Sequence, residues 1–409
     1  MDKIKIFVKS NPKLFALLKQ CLLYCRYAKA LFQTNQYTQL EIFPYKQLIE
    51  IKQEHSHCYF GYYDKSPING SGTMVAFLKV KDGNRQTDVA DVCIYNLQTK
   101  AIKEVVGHTT TWNWQQGCML QWVDDETISY NCYEYGSYVT KRVNVRTLEC
   151  SVTCRAVYSY NKAFTKYLSL NFYRLDLYAK GYGYPYQVDS MDVDEDGIWE
   201  ENIANNTSHL VLSLKTVIEH EPKGYMQCQH YINHVAYTPD ETSIVFIHRW
   251  QMKGGEFVSR LLVYDLNKRM LKTLLDNGHV SHYCWKTNSI LFIYATDSNG
   301  YKGYMEVNID TKRTRVVNGL PNEDGHPSFS KDGKWILTDT YPNNRRDQFV
   351  FLFNTEEKRL YKLDKLYSPL KYFNENRCDF HPRWSIDNKW VVIDNTDAGL
   401  RSLKLYRLL

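Results

Sequence analysis

Short apolar runs separated by polar turns recur along most of the chain, and four of them follow one pattern. In that pattern a histidine precedes an aromatic residue by three positions and an Asp or Asn by six, and an apolar strand follows the turn. The copies begin at His234, His282, His326 and His381. The first three copies are each followed by a hairpin with a polar tip, such as LLVYDLNKRMLKTLL. Each full repeat therefore predicts a four-stranded antiparallel sheet.

Weaker copies nearer the N-terminus extend the repeat to seven. They lie near residues 63, 119 and 158, and in the third of these Tyr158 takes the position of the histidine. A repeat of about 50 residues with four strands is typical of a propeller blade. The sequence therefore predicts an all-β fold, a seven-bladed β-propeller, with nearly all of the chain beyond the N-terminal segment in strands and turns.

The last repeat is one strand short. After WVVIDNT the chain ends at SLKLYRLL, which leaves no sequence for a fourth strand. The missing strand can come from QLEIF or QLIEIK, between residues 39 and 52. Such a strand would close the ring and cover an otherwise unpaired sheet edge. We therefore assign residues 39–409 to a propeller closed by an N-terminal strand.

Residues 1–38 form a separate, basic extension with the periodicity of an amphipathic helix. Residues 1–30 carry seven Lys or Arg and one acid, which accounts for the whole net charge of +6. One face at helical spacing is apolar and consists of Leu14, Leu17, Leu18, Cys21, Cys25 and Ala28. Two alternatives follow: a helix docked on the body, or an interfacial helix drawn to anionic lipid. Residues 31–409 have no net charge, so we expect no nucleic-acid-binding surface on them.

The sequence also bears on the compartment. The sequence has no run of 18 apolar residues, so we expect no transmembrane helix. Lysines interrupt the apolar residues near the N-terminus, so we expect no secretory signal. The eleven scattered cysteines suit free thiols in a reducing environment. We therefore expect a cytoplasmic protein, with possible peripheral contact to the inner face of a membrane through residues 1–30.

The repeated histidines are the main candidate for chemistry. Equivalent positions on the innermost strands of a propeller converge on the central channel, so the four histidines and Tyr158 are expected to become neighbours. An inner-strand histidine can instead simply bond a carbonyl of the next blade. A buried ring of imidazoles without a ligand would, however, leave several polar atoms unpaired. The repeat therefore favours a functional site in the channel.

A metal site is one form that this channel site can take. Cys378 stands three residues before His381. With His326, and with His282 or His234, these residues could supply three or four ligands to a transition metal. A thiolate with imidazoles favours zinc, whereas the histidines alone would also suit manganese. The alternative for Cys378 is a small buried thiol.

Several segments of the chain resemble the seven-bladed propeller polysaccharide lyases, the oligogalacturonate lyase and ulvan lyase families. The resemblance covers roughly residues 55–405 and is carried by HCYFGYYDKSP, WNWQQGCMLQW, LSLNFYRL with GYGY, NHVAYTPDE with FIHRW, DGHPSFSKDGKWILTDTYP and CDFHPRWSIDNKWVVID. It implies β-elimination on a uronate-containing oligosaccharide. That reaction needs a cation to neutralise the carboxylate and a base to take the adjacent proton.

The resemblance also implies roles for individual residues. Tyr158 would be the catalytic base or acid, and Arg174 would clamp the substrate carboxylate. His234 and His282 would assist proton transfer or substrate binding. The metal ligands implied are His326, Cys378 and His381, although the oligogalacturonate lyases carry a glutamine at the position of Cys378. Without the resemblance, Tyr158 reads as an inner-strand aromatic and Arg174 as the partner of Asp176 or another neighbour.

Two classes of function remain open from the sequence. The first is a lyase acting on uronic-acid-containing glycans with a zinc or manganese ion at the mouth of the channel. The second is a non-catalytic propeller that binds glycan or partner proteins during the biosynthesis of surface polysaccharides. The channel residues favour the enzyme, and the basic N-terminal helix favours the second class.

Overall fold

The chain folds into a seven-bladed β-propeller, and in its described part a helix precedes the propeller. The fold is that of a computed structural model, which describes residues 12–32, 37–221, 228–252 and 257–409. Helix α1 spans Pro12–Ala30 and strand β1 spans Tyr45–Ile51. The first eleven residues of the predicted extension lie outside the described ranges. Among the described residues, no helix is long and apolar enough to cross a membrane.

Strands β2 to β25 form the first six blades, each a four-stranded sheet ordered from the channel outward. Blades one to three contain β2 (Ser56–Tyr59), β3 (Met74–Lys81), β4 (Ala90–Asn96) and β5 (Ala101–Thr109); β6 (Gln121–Trp122), β7 (Thr127–Glu134), β8 (Ser137–Asn144) and β9 (Cys150–Thr153); and β10 (Ser159–Tyr160), β11 (Lys166–Leu170), β12 (Gly197–Asn202) and β13 (Thr207–Ser213). Blades four to six contain β14 (Gln229–Tyr237), β15 (Ser243–Gln251), β16 (Phe257–Asp265) and β17 (Met270–Leu275); β18 (Val280–Trp285), β19 (Ile290–Thr296), β20 (Lys302–Asn308) and β21 (Thr314–Val316); and β22 (Ser328–Phe329), β23 (Trp335–Asp339), β24 (Asp347–Asn354) and β25 (Arg359–Tyr367).

Blade seven draws its four strands from both ends of the chain. It contains β26 (Arg383–Trp384), β27 (Trp390–Asn395) and β28 (Ser402–Leu408), and β1 pairs antiparallel with β28 as the outermost strand. Ile51 of β1 lies opposite Leu403 and is almost fully buried. This pairing covers the edge that the short last repeat would leave open. The seven-bladed all-β fold predicted from the sequence is confirmed.

A side-chain hydrogen-bond pattern explains the turn in the repeat. In blade six, Ser330 donates to Asp332 at 2.6 Å and accepts from the backbone N–H of Trp335 at 3.0 Å. Asp332 also accepts from the N–H of Lys334. Ser and Asp side chains close turns in this way. The equivalent bonds join Thr238, Asp240 and Ser243 in blade four and Ser385, Asp387 and Trp390 in blade seven.

Two short helices interrupt the strands that the sequence led us to expect after the N-terminal segment. Helix α2 spans Phe172–Tyr178 and begins after Asn171, whose side chain accepts from the backbone N–H of Arg174. Helix α3 spans Leu214–Glu219 and begins after Ser213, whose side chain accepts from the N–H of Thr216. Both caps satisfy a free N–H at a helix start. A single 3-10 turn, Asn374–Asn376, precedes blade seven.

Blade one is fastened to blade seven by a buried ion pair. Arg383 donates to Asp394 at 2.8 Å, and both side chains are almost completely buried. Arg383 also donates to the carbonyl oxygen of Tyr62 at 2.8 Å. Asp394 in turn accepts from the backbone N–H groups of Phe60 and Gly61. The loop that carries Tyr62 into the channel is therefore held by the last blade.

Candidate active site

The innermost strands of the blades all run in the same direction along the channel, so its two ends have different residues. The residues that precede these strands, among them Asp324 and Asp379, lie at what we call the upstream end. The aromatic residues that follow the histidines, such as Trp285 and Trp384, lie at the turn end. The buried side chains of the four histidines lie between the two ends.

The structure brings the four repeated histidines together. The ring centroids of His282 and His326 are 4.1 Å apart, and those of His326 and His381 are 4.3 Å apart. The ring of His234 lies 5.3 Å from that of His282. Tyr62 from blade one contacts all four rings, with centroid distances from 5.2 to 6.4 Å. Residues from five blades thus share one buried cluster.

Two of these histidines have unusual backbone conformations. His234 has φ 52° and His381 has φ 45°, both in the left-handed region that non-glycine residues seldom adopt. In blade four the strand register shifts between Asn233 and Ala236, around His234. Such strained positions are found preferentially where a side chain must be aimed at a site. The backbone here turns each imidazole out of the regular strand pattern.

Three side chains of this cluster could hold a metal ion. Ligand atoms of His326, Asp379 and His381 all lie within 4.8 Å of one another. Nδ1 of His326 donates to Asp339 at 2.8 Å, which leaves Nε2 to face the site; burial opposes the charge on this imidazole, but Asp339 outweighs it and raises the pKa of His326. Within the described part of the chain, Nε2 of His326 and Nε2 of His381 are buried without a hydrogen-bond partner. Unpaired buried ring nitrogens beside a carboxylate fit a divalent cation, which would displace a proton from His326 on binding.

The carboxylate of Asp379 is held in its charged form. Burial opposes its ionisation, but Arg377 outweighs burial and lowers the pKa of Asp379. Nε and one terminal nitrogen of Arg377 donate to the two carboxylate oxygens, the terminal nitrogen at 2.6 Å. An ionised carboxylate with two imidazoles suits zinc or manganese.

Cys378, predicted as a metal ligand, is not a member of this group. Its side chain is fully buried, and burial raises the pKa of the thiol to about 12. The thiol contacts the backbone oxygen of Asp379 at 3.9 Å. The geometry groups Asp379, and not Cys378, with the two histidines. The thiolate ligand at Cys378 stays a prediction, and the neighbouring Asp379 is a further candidate.

His282 is a neutral imidazole next to the candidate metal ligands. Burial lowers the pKa of His282, and the adjacent His326 lowers it further. Its Nδ1 donates to Asp324 at 3.3 Å, and Ser281 donates to the same carboxylate at 2.6 Å. This contact leaves Nε2 of His282 with a lone pair. The arrangement is that of a histidine oriented by a carboxylate, as general bases commonly are.

Tyr158 and His234 lie on the other side of the cluster. The Tyr158 hydroxyl accepts from the backbone N–H of His234 at 2.9 Å and from Gln116 at 3.1 Å, and burial raises its pKa. Both residues line a turn-end cavity of about 420 Å³ that Tyr62 also borders. The ring nitrogens of His234 lie 2.9 and 3.0 Å from the Tyr62 hydroxyl. Tyr158 therefore contacts the histidine cluster through His234.

Arg174, predicted to clamp the substrate carboxylate, is occupied within the fold. Its guanidinium contacts the buried Asp196, and it donates to the backbone oxygen of Met191 at 2.6 Å. A third nitrogen reaches the backbone oxygen of His230 at 3.4 Å. Its partner is thus a neighbouring acid, as the second interpretation of this residue held, although that acid is Asp196 and not Asp176. The substrate clamp at this position stays a prediction, and in this structure all three guanidinium nitrogens have partners within the fold.

Arg249 is a cation that sequence reasoning missed. Within the described ranges, its buried Nε has no hydrogen-bond partner, while another guanidinium nitrogen donates to the backbone oxygen of Val280 at 3.4 Å and Tyr231 also bonds the side chain. Its charge contributes to lowering the pKa of His234 and of His282. Arg249 follows His248 in the segment FIHRW. Its position within β15 was the only feature of the sequence that could have identified it as a site residue.

Comparison with known proteins supports the fold. No protein-family model matches the chain, and no curated protein matches it in sequence. An oligogalacturonate lyase from Vibrio parahaemolyticus is similar in structure, with a TM-score of 0.65 and 14% identity over 91% of this chain and 95% of that one.

Two further solved structures show the same architecture. An oligogalacturonate lyase in complex with manganese has a TM-score of 0.65 and 15% identity over 90% of this chain and 99% of that one. The tricorn protease has a TM-score of 0.52 and 10% identity over 87% of this chain and 34% of that one. The structural resemblance to the oligogalacturonate lyases is confirmed, and at these identities it establishes the fold.

Proposed function

We propose that the protein is a metal-dependent lyase that cleaves uronate-containing oligosaccharides by β-elimination. The observation that carries the proposal is the buried group of His326, Asp379 and His381, with an unpartnered Nε2 on each histidine among the described residues. The fold shared with an oligogalacturonate lyase that binds manganese supports it. We place the reaction in the cytoplasm, since the eleven cysteines are free thiols.

The proposed reaction removes the proton next to the uronate carboxylate and expels the oxygen on the next carbon. The proton passes to the base. The electron pair of the broken carbon–hydrogen bond forms the new carbon–carbon double bond, and the carbon–oxygen bond breaks. A divalent ion at the site would supply positive charge that stabilises the carboxylate as negative charge builds on it. Zinc and manganese both remain candidates for this ion.

The chain's own residues supply the remaining roles in this proposal. His282 takes the proton at Nε2, because Asp324 holds its Nδ1–H. Arg249 pairs with the substrate carboxylate through its buried Nε, which has no hydrogen-bond partner among the described residues. Burial raises the pKa of Tyr62 well above its usual value, so this phenol stays protonated and can donate to the departing oxygen.

His234 and Tyr158 act through Tyr62 in this scheme. His234 bonds the Tyr62 hydroxyl and Tyr158 bonds the backbone of His234, so both orient the donor. We therefore treat Tyr158 as a positioning residue. Loss of Tyr158 is expected to reduce turnover less than loss of His282.

The test is the ultraviolet absorbance of the unsaturated uronate product. Purified protein is incubated with a panel of uronate oligomers in the presence of manganese or zinc, beside a His282→Ala variant. We expect product from the unmodified protein and a loss of at least 100-fold in the variant, the scale of general-base catalysis. Absence of product across the panel, with oligomers still bound, would favour the non-catalytic glycan-binding alternative.

A further inference from the structure

Helix α1 leaves its apolar face open to solvent. Leu17, Leu18 and Leu22 are 57%, 45% and 50% exposed. Tyr24, Cys21 and Cys25 are also exposed. At about 100° per residue these side chains share one side of the helix. Monomeric soluble proteins seldom leave such a face uncovered, and an uncovered one marks an interaction surface.

The helix contacts the propeller through its opposite face. The ring of Tyr27 lies 6.5 Å from that of Tyr367 at the end of β25, and Ala30 is almost fully buried. Leu23 is half-buried between them in the helical pattern. The body therefore covers the side that carries Leu23, Tyr27 and Ala30. Docking on the body accounts for one face of α1 and leaves the face with Leu17, Leu18 and Leu22 exposed.

Positive charge borders the open face. Arg26 and Lys29 are exposed beside it. Residues 1–30 carry the whole net charge of the chain, and the propeller is neutral. An apolar helical face bordered by basic residues matches an anionic bilayer, which takes the apolar side chains among its acyl chains and the cations among its head groups.

The helix stands at the upstream end of the channel. Strand β23 ends at the upstream end with Asp339, so the next strand, β24, begins there with Asp347. Tyr367, the last residue of β25, pairs with Asp347 and therefore also lies at the upstream end. The segment after the helix leads to the same place, because the Tyr37 hydroxyl donates to Glu323 at 3.4 Å. Glu323 precedes Asp324, the partner of His282.

We propose that α1 is a membrane-surface anchor that binds an anionic bilayer and holds the upstream end of the channel beside it. The helix lies in the plane of the lipid head groups and does not span the bilayer. The anchoring itself does not depend on the proposed lyase activity.

Co-sedimentation with vesicles tests the anchor. The full chain is mixed with vesicles of phosphatidylcholine alone or with phosphatidylglycerol added, at low and high salt. We expect binding to the anionic vesicles that weakens as salt rises. The variant Leu17→Gln, Leu18→Gln, Leu22→Gln is expected to lose at least tenfold in binding. Arg26→Gln and Lys29→Gln should each cost about fivefold.

The matched control moves the same change to exposed apolar residues of the propeller. Leu148, Val152 and Met270 are exposed to a similar degree, and their replacement by Gln should leave vesicle binding unchanged. Equal binding by the helix variant and the unmodified protein would overturn the proposal, as would no binding to anionic vesicles. A helix-dependent dimer in sedimentation velocity, without vesicle binding, would assign the face to a second copy of the chain. Product formation from soluble oligomers is measured separately. A failure of vesicle binding can therefore be distinguished from a failure of the lyase activity.

Discussion

Asp339 orients two of the three candidate metal ligands. Its carboxylate accepts from Nδ1 of His326 at 2.8 Å, from the backbone N–H of His326 at 2.8 Å and from the backbone N–H of His381 at 3.2 Å. Together with Asp324 on His282, it fixes which nitrogen of each imidazole faces the site. Carboxylates behind ligating histidines commonly control metal affinity in this way.

We therefore expect Asp339→Asn to weaken metal binding by about 10–100-fold. The amide can still accept from the backbone, but it no longer fixes the tautomer of His326 or balances a positive charge there. Titration calorimetry with manganese and with zinc measures the change. Unaltered affinity in a variant that remains folded by circular dichroism would show that Asp339 has no part in orienting a ligand.

Asp379 and Cys378 are adjacent, but only one of them is predicted to matter for the metal. Asp379→Ala should abolish stoichiometric metal in the purified protein, because it removes the anionic ligand and leaves Arg377 unpaired. Cys378→Ala should retain the metal, since the sulfur of Cys378 is not among the clustered ligand atoms. Elemental analysis of both variants decides the matter, and metal lost with Cys378 and kept without Asp379 would reverse the assignment.

A buried histidine outside the site predicts a pH dependence of stability. Burial, and then the charge of Arg401, lowers the pKa of His57 to about 4, although Asp82 lies 3.1 Å from its Nε2. The unfolded chain binds this proton near pH 6.5, whereas the folded chain binds it only near pH 4. The stability is therefore complete above about pH 6.5 and falls as the pH is lowered towards 4.

Urea denaturation at a series of pH values checks this expectation. The free energy of unfolding should decline between pH 7 and pH 4.5, and the decline should be shallower in His57→Gln, which keeps a donor for Asp82 but cannot titrate. An equal slope in the two proteins would mean that His57 does not contribute to it.

At the scale of residues, repeat position could predict the histidines but not their partners. The spacing put His234, His282, His326 and His381 at equivalent places, and convergence follows from the propeller. The choice between Cys378 and Asp379 depends on side-chain direction and on the pKa, which spacing does not contain. The long side chains of Arg174 and Arg249 reach in directions that only the fold decides.

At the scale of elements, closure of the ring rests on β1. Its pairing with β28 buries Ile51, which alone contributes about 2 kcal/mol when its side chain leaves water. Without β1, the backbone of β28 would present an open edge to other molecules.

Two truncations separate the strand from the helix. Removal of residues 1–32 takes away α1 and leaves β1, so the melting temperature should change little. Removal of residues 1–52 also deletes β1, and we expect a destabilisation of at least about 2 kcal/mol with aggregation on heating. Differential scanning calorimetry compares them, and equal melting temperatures would argue against a closing role for β1.

The period of about 50 residues was enough to predict the strands, because each blade alternates buried and turn positions in the same order. The helices α2 and α3 were missed. Each is fewer than eight residues long and lies in a link between strands, where its apolar positions resemble those of a strand. Their caps, Asn171 and Ser213, were the available signals.

At the scale of the whole molecule, the propeller brings together residues that are far apart in sequence. Tyr62 and His381 come from the first and last blades, yet their rings are 5.2 Å apart. The two ends of the channel then serve different purposes in our account. The upstream end carries Asp324, Asp379 and the helix α1, and the turn end carries the cavity that Tyr62, Tyr158 and His234 line.

Removal and return of the metal is the most direct test of the central claim. The protein is treated with a chelator, freed of it by dialysis, and assayed for the unsaturated uronate product before and after manganese or zinc is added back. We expect turnover to disappear with the metal, to return with one of these ions, and not to return in Asp379→Ala. Turnover that persists at full rate in the metal-free protein would contradict it.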